Sequence, residues 1–167
     1  MRHRSSFRSV TYIRAQPRPP RWLAKIFICV AMLCATMPLY AATPEEQAVL
    51  VPLQALFDGM AKHDKAAVRE QLLPGGMVTL KRGDQIIQMH FDTFVDHLGG
   101  TDKIEERIHD PVVRIDDDIA IIWVPYEFLL EGKVHHCGTD IAHLVRRDGR
   151  WLIAGIADNS HRECKAQ

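Results

Sequence analysis

From Ile119 to Asp158 the chain carries three long runs rich in β-branched and aromatic residues, joined by two short connections, Glu131-Gly132-Lys133 and Asp148-Gly149. Long strands linked this tightly pair antiparallel, since a parallel partner needs a crossover of about a dozen residues or more. The predicted strands are Val112 to Ile115, Ile119 to Leu130, Val134 to Arg146 and Trp151 to Asp158, with Asp116-Asp117-Asp118 as the first turn. This meander dictates most of what the rest of the chain can do.

The segment before it reads as helices and a short hairpin. Thr43-Pro44-Glu45-Glu46 combines a Thr cap, Pro at the first helical position and Glu three residues after the cap. Val49, Leu53, Leu56 and Met60 then form one apolar stripe, with Pro52 expected to kink it or delay its regular part. Asp64 caps a second short helix, Lys65 to Leu72, ended by Pro74-Gly75-Gly76. Met77 to Leu80 and Gln85 to His90 read as a hairpin around Lys81-Arg82-Gly83-Asp84. Asp92 caps a helix through Leu98, and Lys103 to Ile108 reads as one or two further helical turns, with Glu105, Glu106 and Arg107 as structural charge.

Residues 1 to 42 stand apart. Seven basic residues precede the first acidic one, Glu45, and the apolar run Ile26 to Ala42 ends in small residues, the pattern of a signal peptide cut after Ala41 or Ala42. The run is 17 residues long and contains Pro38, short of the roughly 20 that span a bilayer. Periplasmic or secreted location is therefore expected, with no stable membrane insertion after cleavage; an uncleaved anchor through Ile26 to Ala42 is the alternative. Residues 43 to 167 form a single domain on this reading, of a size that suits one core.

Cleavage changes the electrostatics. All 21 acidic residues but only 14 of the 21 basic ones lie after Ala42, a formal charge of −7 that disfavours nucleic acid as a partner. Two cysteines remain there, Cys137 and Cys164, and in an oxidising compartment they are expected to pair.

The order of elements, together with Trp123-Val124-Pro125-Tyr126-Glu127-Phe128, His136-Cys137-Gly138-Thr139-Asp140 and Asp148-Gly149-Arg150-Trp151-Leu152-Ile153, resembles the nuclear transport factor 2-like superfamily, in particular its small exported bacterial members of the SnoaL-like and ketosteroid isomerase-like kind. The resemblance covers about residues 46 to 164. It implies an α+β, cystatin-like cone: a strongly bent antiparallel sheet with N-terminal helices packed on its concave face, often dimeric. It leaves the activity open, because the superfamily includes isomerases, cyclases, dehydratases and non-enzymatic adaptors.

Strand parity selects the candidate pocket. A two-residue turn at Asp148-Gly149 places Leu144 opposite Ile153 and Asp140 opposite Ala157. In the preceding hairpin a three-residue connection puts Tyr126 near Gly138 and Phe128 near His136, whereas a two-residue turn brings Trp123 and Glu127 to that face instead. The three-residue reading gives Ile122, Val124, Tyr126 and Phe128 a continuous apolar face and is preferred. The expected pocket lining is then Val124, Tyr126, Phe128, His136, Asp140 and Trp151.

Within it Asp140 is a lone carboxylate on an apolar face, where desolvation raises a carboxyl pKa and suits it to act as a base or a neutral donor. Tyr126 and His136 are the candidate partners for a substrate oxygen, making Asp140, Tyr126 and His136 the candidate catalytic set. A merely hydrogen-bonded buried carboxylate is the plainer explanation. The preferred function is binding of a small, largely apolar molecule without turnover; the alternatives are an isomerase, cyclase or dehydratase moving a proton beside a carbonyl, and a dimeric interaction module.

No cofactor or metal site is expected. Along a strand, His136 and Asp140 lie about 13 Å apart, and no paired zinc motif occurs among the eight histidines after Ala42. Ser160 is the one serine in that part. Ile119, Ile121, Trp123, Leu129 and Ile141 share the opposite sheet face, and burial of that face in a homodimer is expected.

Overall fold

The computed structural model describes residues 42–164, so the expected signal peptide lies outside the described residues. Helix α1, Pro44–Ala61, opens on the capping box, with Thr43 Oγ1 accepting from the Glu46 N–H while the Glu46 carboxylate accepts from the Thr43 N–H. It runs continuously through Pro52, which is buried with Val49, Leu53, Leu56 and Phe57. Asp64 caps α2, Lys65–Arg69, accepting from the N–H groups of Ala66 and Ala67.

Seven strands follow, with one further helix between them: β1 Leu72–Arg82, β2 Gln85–His90, helix α3 Phe91–His97, β3 Ile104–Ile108, β4 Val112–Asp116, β5 Ile119–Leu130, β6 Lys133–Arg147 and β7 Arg150–His161. They form one sheet in the order β2-β1-β7-β6-β5-β3, and β4 also pairs with β5, so that β3 and β4 share its outer edge. The helices cover one face. Their apolar residues and Val78, Ile122, Val124, Ala142, Leu144, Trp151 and Ile153 make a single core, as an α+β fold of two layers requires.

Several boundaries differ from the sequence reading. The second helix stops at Arg69, and Leu72 already pairs with Ile153; Pro74-Gly75-Gly76 is an irregularity inside β1, not a helix terminator. Gly76 is required there, since a Cβ would lie 2.2 Å from the Phe91 ring. The β1-β7 pair is parallel, so the sheet is mixed. Helix α3 begins one residue before Asp92, with His90 at the cap position making no side-chain cap.

Lys103 to Ile108 is not helical. Ile104–Ile108 is a strand paired with Tyr126 to Leu130, and its Glu-Glu-Arg content yields to cross-strand pairing and to the inward alternation of Ile104, Glu106 and Ile108.

The two hairpins show how bulges set the faces. Glu131 and Gly132 both have positive φ and form a two-residue turn closing Leu130 on Lys133. A bulge between Phe128 and Leu129 absorbs one residue of β6, so Phe128 still pairs with His136 and Tyr126 with Gly138. The expected face is thus reached through a shorter turn plus a bulge. In the last hairpin Leu144 pairs with Ile153 as expected, but an irregularity at His143/Leu144 advances β7 by one residue. Asp140 therefore faces Asp158, not Ala157.

Cys137 and Cys164 are disulfide-bonded, with Cα atoms 5.7 Å apart. Among the described residues no helix is long and apolar enough to cross a membrane.

Candidate functional site

Between the helices and the sheet lies a cavity of about 160 Å³. Its walls are apolar: Leu56, Phe57 and Met60 from α1, Phe94 from α3, and Val78, Leu80 and Phe128 from the sheet. Arg82, Glu106, Tyr126, His136, Asp140 and Asp158 supply all of its polarity. A larger groove of about 350 Å³ opens elsewhere, beside Ile119, Ile121, His143 and Val145, but gathers no comparable polar cluster.

The β6-β7 register sets Asp140 and Asp158 side by side, an arrangement that like charges disfavour. Two devices relieve it. Arg82, reaching over from β1, grips Asp158 with both guanidinium nitrogens, at 2.5 and 2.7 Å. Hydrogen bonding to Asp158 is the main cause holding the Arg82 pKa above its ordinary value.

Asp140, only 4% exposed, instead meets the carboxyl group of Glu106 on β3 within hydrogen-bonding reach. Desolvation, joined by the charge of Asp158, pushes the Asp140 pKa up to about 7. Desolvation and the neighbouring Asp140 raise Glu106 well above the carboxylate range.

Tyr126, 1% exposed, donates its hydroxyl to the Asn159 carbonyl at 3.0 Å. Gly138 makes that approach possible: a Cβ there would lie 1.9 Å from the Asn159 oxygen and 2.9 Å from the Tyr126 ring. Burial raises the Tyr126 pKa further, so the group stays a phenol. His136 stacks on Phe128 at 4.8 Å and meets Tyr126 edge-on at 5.8 Å. Its pKa is lowered by desolvation and by the adjacent His135, which favours neutral imidazole.

Of the six expected lining residues, Tyr126, Phe128, His136 and Asp140 reach the cavity. Val124 and Trp151 do not: both belong to the packed core, and Trp151 carries the Arg146 guanidinium 4.5 Å above its ring. Asp140 is not a lone carboxylate, and the Tyr126 donor is already engaged. Sequence reasoning missed Arg82, Glu106 and Asp158. The alternation Ile104-x-Glu106-x-Ile108 could have found Glu106, and Gly155 inside a strand could have signalled the irregularity that turns Asp158 inward. Among the described residues no group of three His, Cys, Asp or Glu side chains is placed to hold a metal ion.

The family described as "Putative lumazine-binding" matches residues 44–155. The chain belongs to this family. No curated protein matches it.

Solved structures place this lumazine-family chain in the nuclear transport factor 2-like fold. A nuclear transport factor 2-like protein from Cytophaga hutchinsonii superposes with a TM-score of 0.61 at 13% identity, over 71% of this chain and all (100%) of that one. One from Novosphingobium aromaticivorans, described as having a cystatin-like fold, gives 0.61 at 10% identity over 85% of this chain and 92% of its own. A third, from Streptomyces avermitilis, is described as a "putative dehydratase" of the same fold family and gives 0.59 at 15% identity over 71% and 99%. At these identities the likeness shows the fold alone.

Proposed function

We propose that this chain is an exported binding domain whose cavity takes a small, largely apolar molecule without turnover. The observation that carries this reading is the cavity itself: apolar and aromatic walls, with every polar group gathered into one cluster. At about 160 Å³ it falls below the roughly 300–1,000 Å³ of drug-sized sites, and so suits a molecule of one or two rings. The family description makes lumazine a rational first compound to try. The leader-like residues 1 to 42 and the Cys137–Cys164 disulfide support export to the periplasm or beyond.

Native mass spectrometry of protein recovered from the exporting cell tests the reading. The expected spectrum shows cleavage after Ala41 or Ala42 and a reproducible small-molecule adduct. A clean apo species whose melting temperature moves with neither lumazine nor small aromatic compounds would overturn it.

One observation favours a second reading, an isomerase or dehydratase that moves a proton next to a carbonyl. A carboxyl held near pKa 7 in a cavity is matched to proton transfer at neutral pH, and Asp140 is such a group. On this reading protonated Glu106 is the donor to a developing oxyanion, since the Tyr126 hydroxyl is committed to Asn159. Deuterium uptake next to the carbonyl of a bound ketone, abolished in Asp140→Asn, would move the assignment from binder to enzyme.

A further inference from the structure

We propose that His135 and His136 form a two-imidazole chelate for a divalent transition-metal ion, copper(II) by preference, at the edge of the cavity. In a regular strand neighbouring residues point to opposite faces, so two adjacent histidines have no ion to share. The bulge in β6 removes that restriction. Phe128 pairs with His136 and Leu129 with Val134, which makes His135 the absorbed residue. A bulge of this kind sets two residues against one and re-aims a side chain. The two rings converge, with Nδ1 of His135 3.0 Å from Nδ1 of His136.

Packing holds the rings in that relation. His136 stacks on Phe128 with 19° between the planes, while His135 meets the same phenyl ring edge-on at 6.4 Å. The imidazoles stand at 80° to each other with centroids 5.3 Å apart. One Nδ1 donates and the other accepts, so a single hydrogen occupies the place between two nitrogens. A metal ion can take that place without net loss of a proton from the protein. The donor ring moves its hydrogen to Nε2, and both Nδ1 atoms then present lone pairs. Desolvation and the adjacent His135 lower the His136 pKa, which keeps that ring in the neutral form that ligation needs.

The spacing selects the ion. Nitrogens 3.0 Å apart, each about 2 Å from one ion, subtend roughly 95°, whereas a tetrahedral centre calls for a separation of about 3.3 Å. An angle near 90° fits neighbouring positions of a tetragonal copper(II) or nickel(II) centre, and copper(II) stands highest in the general affinity order of these ions. Among the described residues no third His, Cys, Asp or Glu side chain joins the pair, which leaves the remaining positions to solvent. His135 is exposed and His136 lines the cavity, so an ion can enter from water and keep open positions beside the cavity.

Copper(II) titration of the untagged, EDTA-stripped protein tests the inference, by isothermal titration calorimetry against glycine as competitor and by electron paramagnetic resonance of the equimolar sample. The expected result is one copper per chain, coupled to two imidazole nitrogens. His135→Ala and His136→Ala, each checked for folding by circular dichroism, lower the affinity at least about tenfold and leave one coupled imidazole nitrogen. His97→Ala, whose imidazole on α3 is bonded to the Thr93 carbonyl, changes neither readout. Coupling to fewer than two imidazoles in the parent protein, a site that survives either His135→Ala or His136→Ala, or no saturable binding overturns the inference. The nitrogen count in the parent protein decides the matter even where a variant fails to fold.

Discussion

Asp140 shows how one side chain can hold two roles in tension. Its carboxyl is buried and keeps its proton up to about pH 7, whereas in the unfolded chain it loses it near the ordinary Asp value of 3.8. Between these values the folded protein binds more protons than the unfolded one, so this residue's contribution to stability falls as pH rises from about 4 to 7. A neutral side chain of the same shape removes that penalty. Asp140→Asn is therefore expected to raise the urea midpoint at pH 8 by the equivalent of a few kcal/mol, roughly 1.4 per unit of pKa shift, and to change it little near pH 4. Equal effects at both pH values would show that Asp140 is not held protonated. Arg82 carries the opposite logic. Arg82→Ala leaves Asp158 unpaired beside Asp140, and a loss of about 1–3 kcal/mol is expected, since the pair is itself only partly buried.

Among the elements, β6 concentrates the most consequences. It carries His136, Gly138 and Asp140 toward the cavity and, by alternation, Cys137 toward the other face, where the disulfide ties down Cys164 27 residues later. Closing a loop of that length stabilises the fold by about 3.5 kcal/mol on the chain-entropy model. Cys137→Ser with Cys164→Ser is expected to lower the denaturation free energy by roughly this amount, measured against the oxidised parent. The effect should reach the site, because Asn159, which receives the Tyr126 hydroxyl, lies between the β7 residues facing the cavity and the tethered tail. The strand types of β5, β6 and β7 were legible in composition and turns. Their register irregularities were not, since no local signal states where an extra residue is absorbed. That is why the turn alone sets Ala157 opposite Asp140, where the structure has Asp158.

At the scale of the whole molecule the unpaired feature is the sheet face turned away from the helices. Ile119, Ile121 and Trp123 are each about half exposed, at 53, 49 and 50%, and Ile141 is 40% exposed. Leu129, expected with them, is already covered at 2%. A patch of this kind on a folded domain suits a partner, and a second copy of the chain is the proposal that needs no other molecule. Sedimentation is expected to show a concentration-dependent dimer in the parent protein and a monomer in Trp123→Arg. A parent protein monomeric at all concentrations would overturn this.

Alternating apolar residues, turn glycines and a capping box determined, by sequence alone, that helices precede a long antiparallel meander; the face shared by Tyr126, Phe128, His136 and Asp140 was preferred on apolar continuity and was secured by the bulge at Phe128/Leu129. The elements follow from period, propensity and turn chemistry, which act between near neighbours. The carboxyl pair was decided only by the tertiary structure. Glu106, Asp140 and Asp158 lie on three strands, and Arg82 arrives from a fourth that pairs in parallel across the chain. Their meeting depends on long-range register, where one absorbed residue exchanges the faces of a strand. The raised pKa of Asp140 depends in turn on the desolvation that only the assembled core provides.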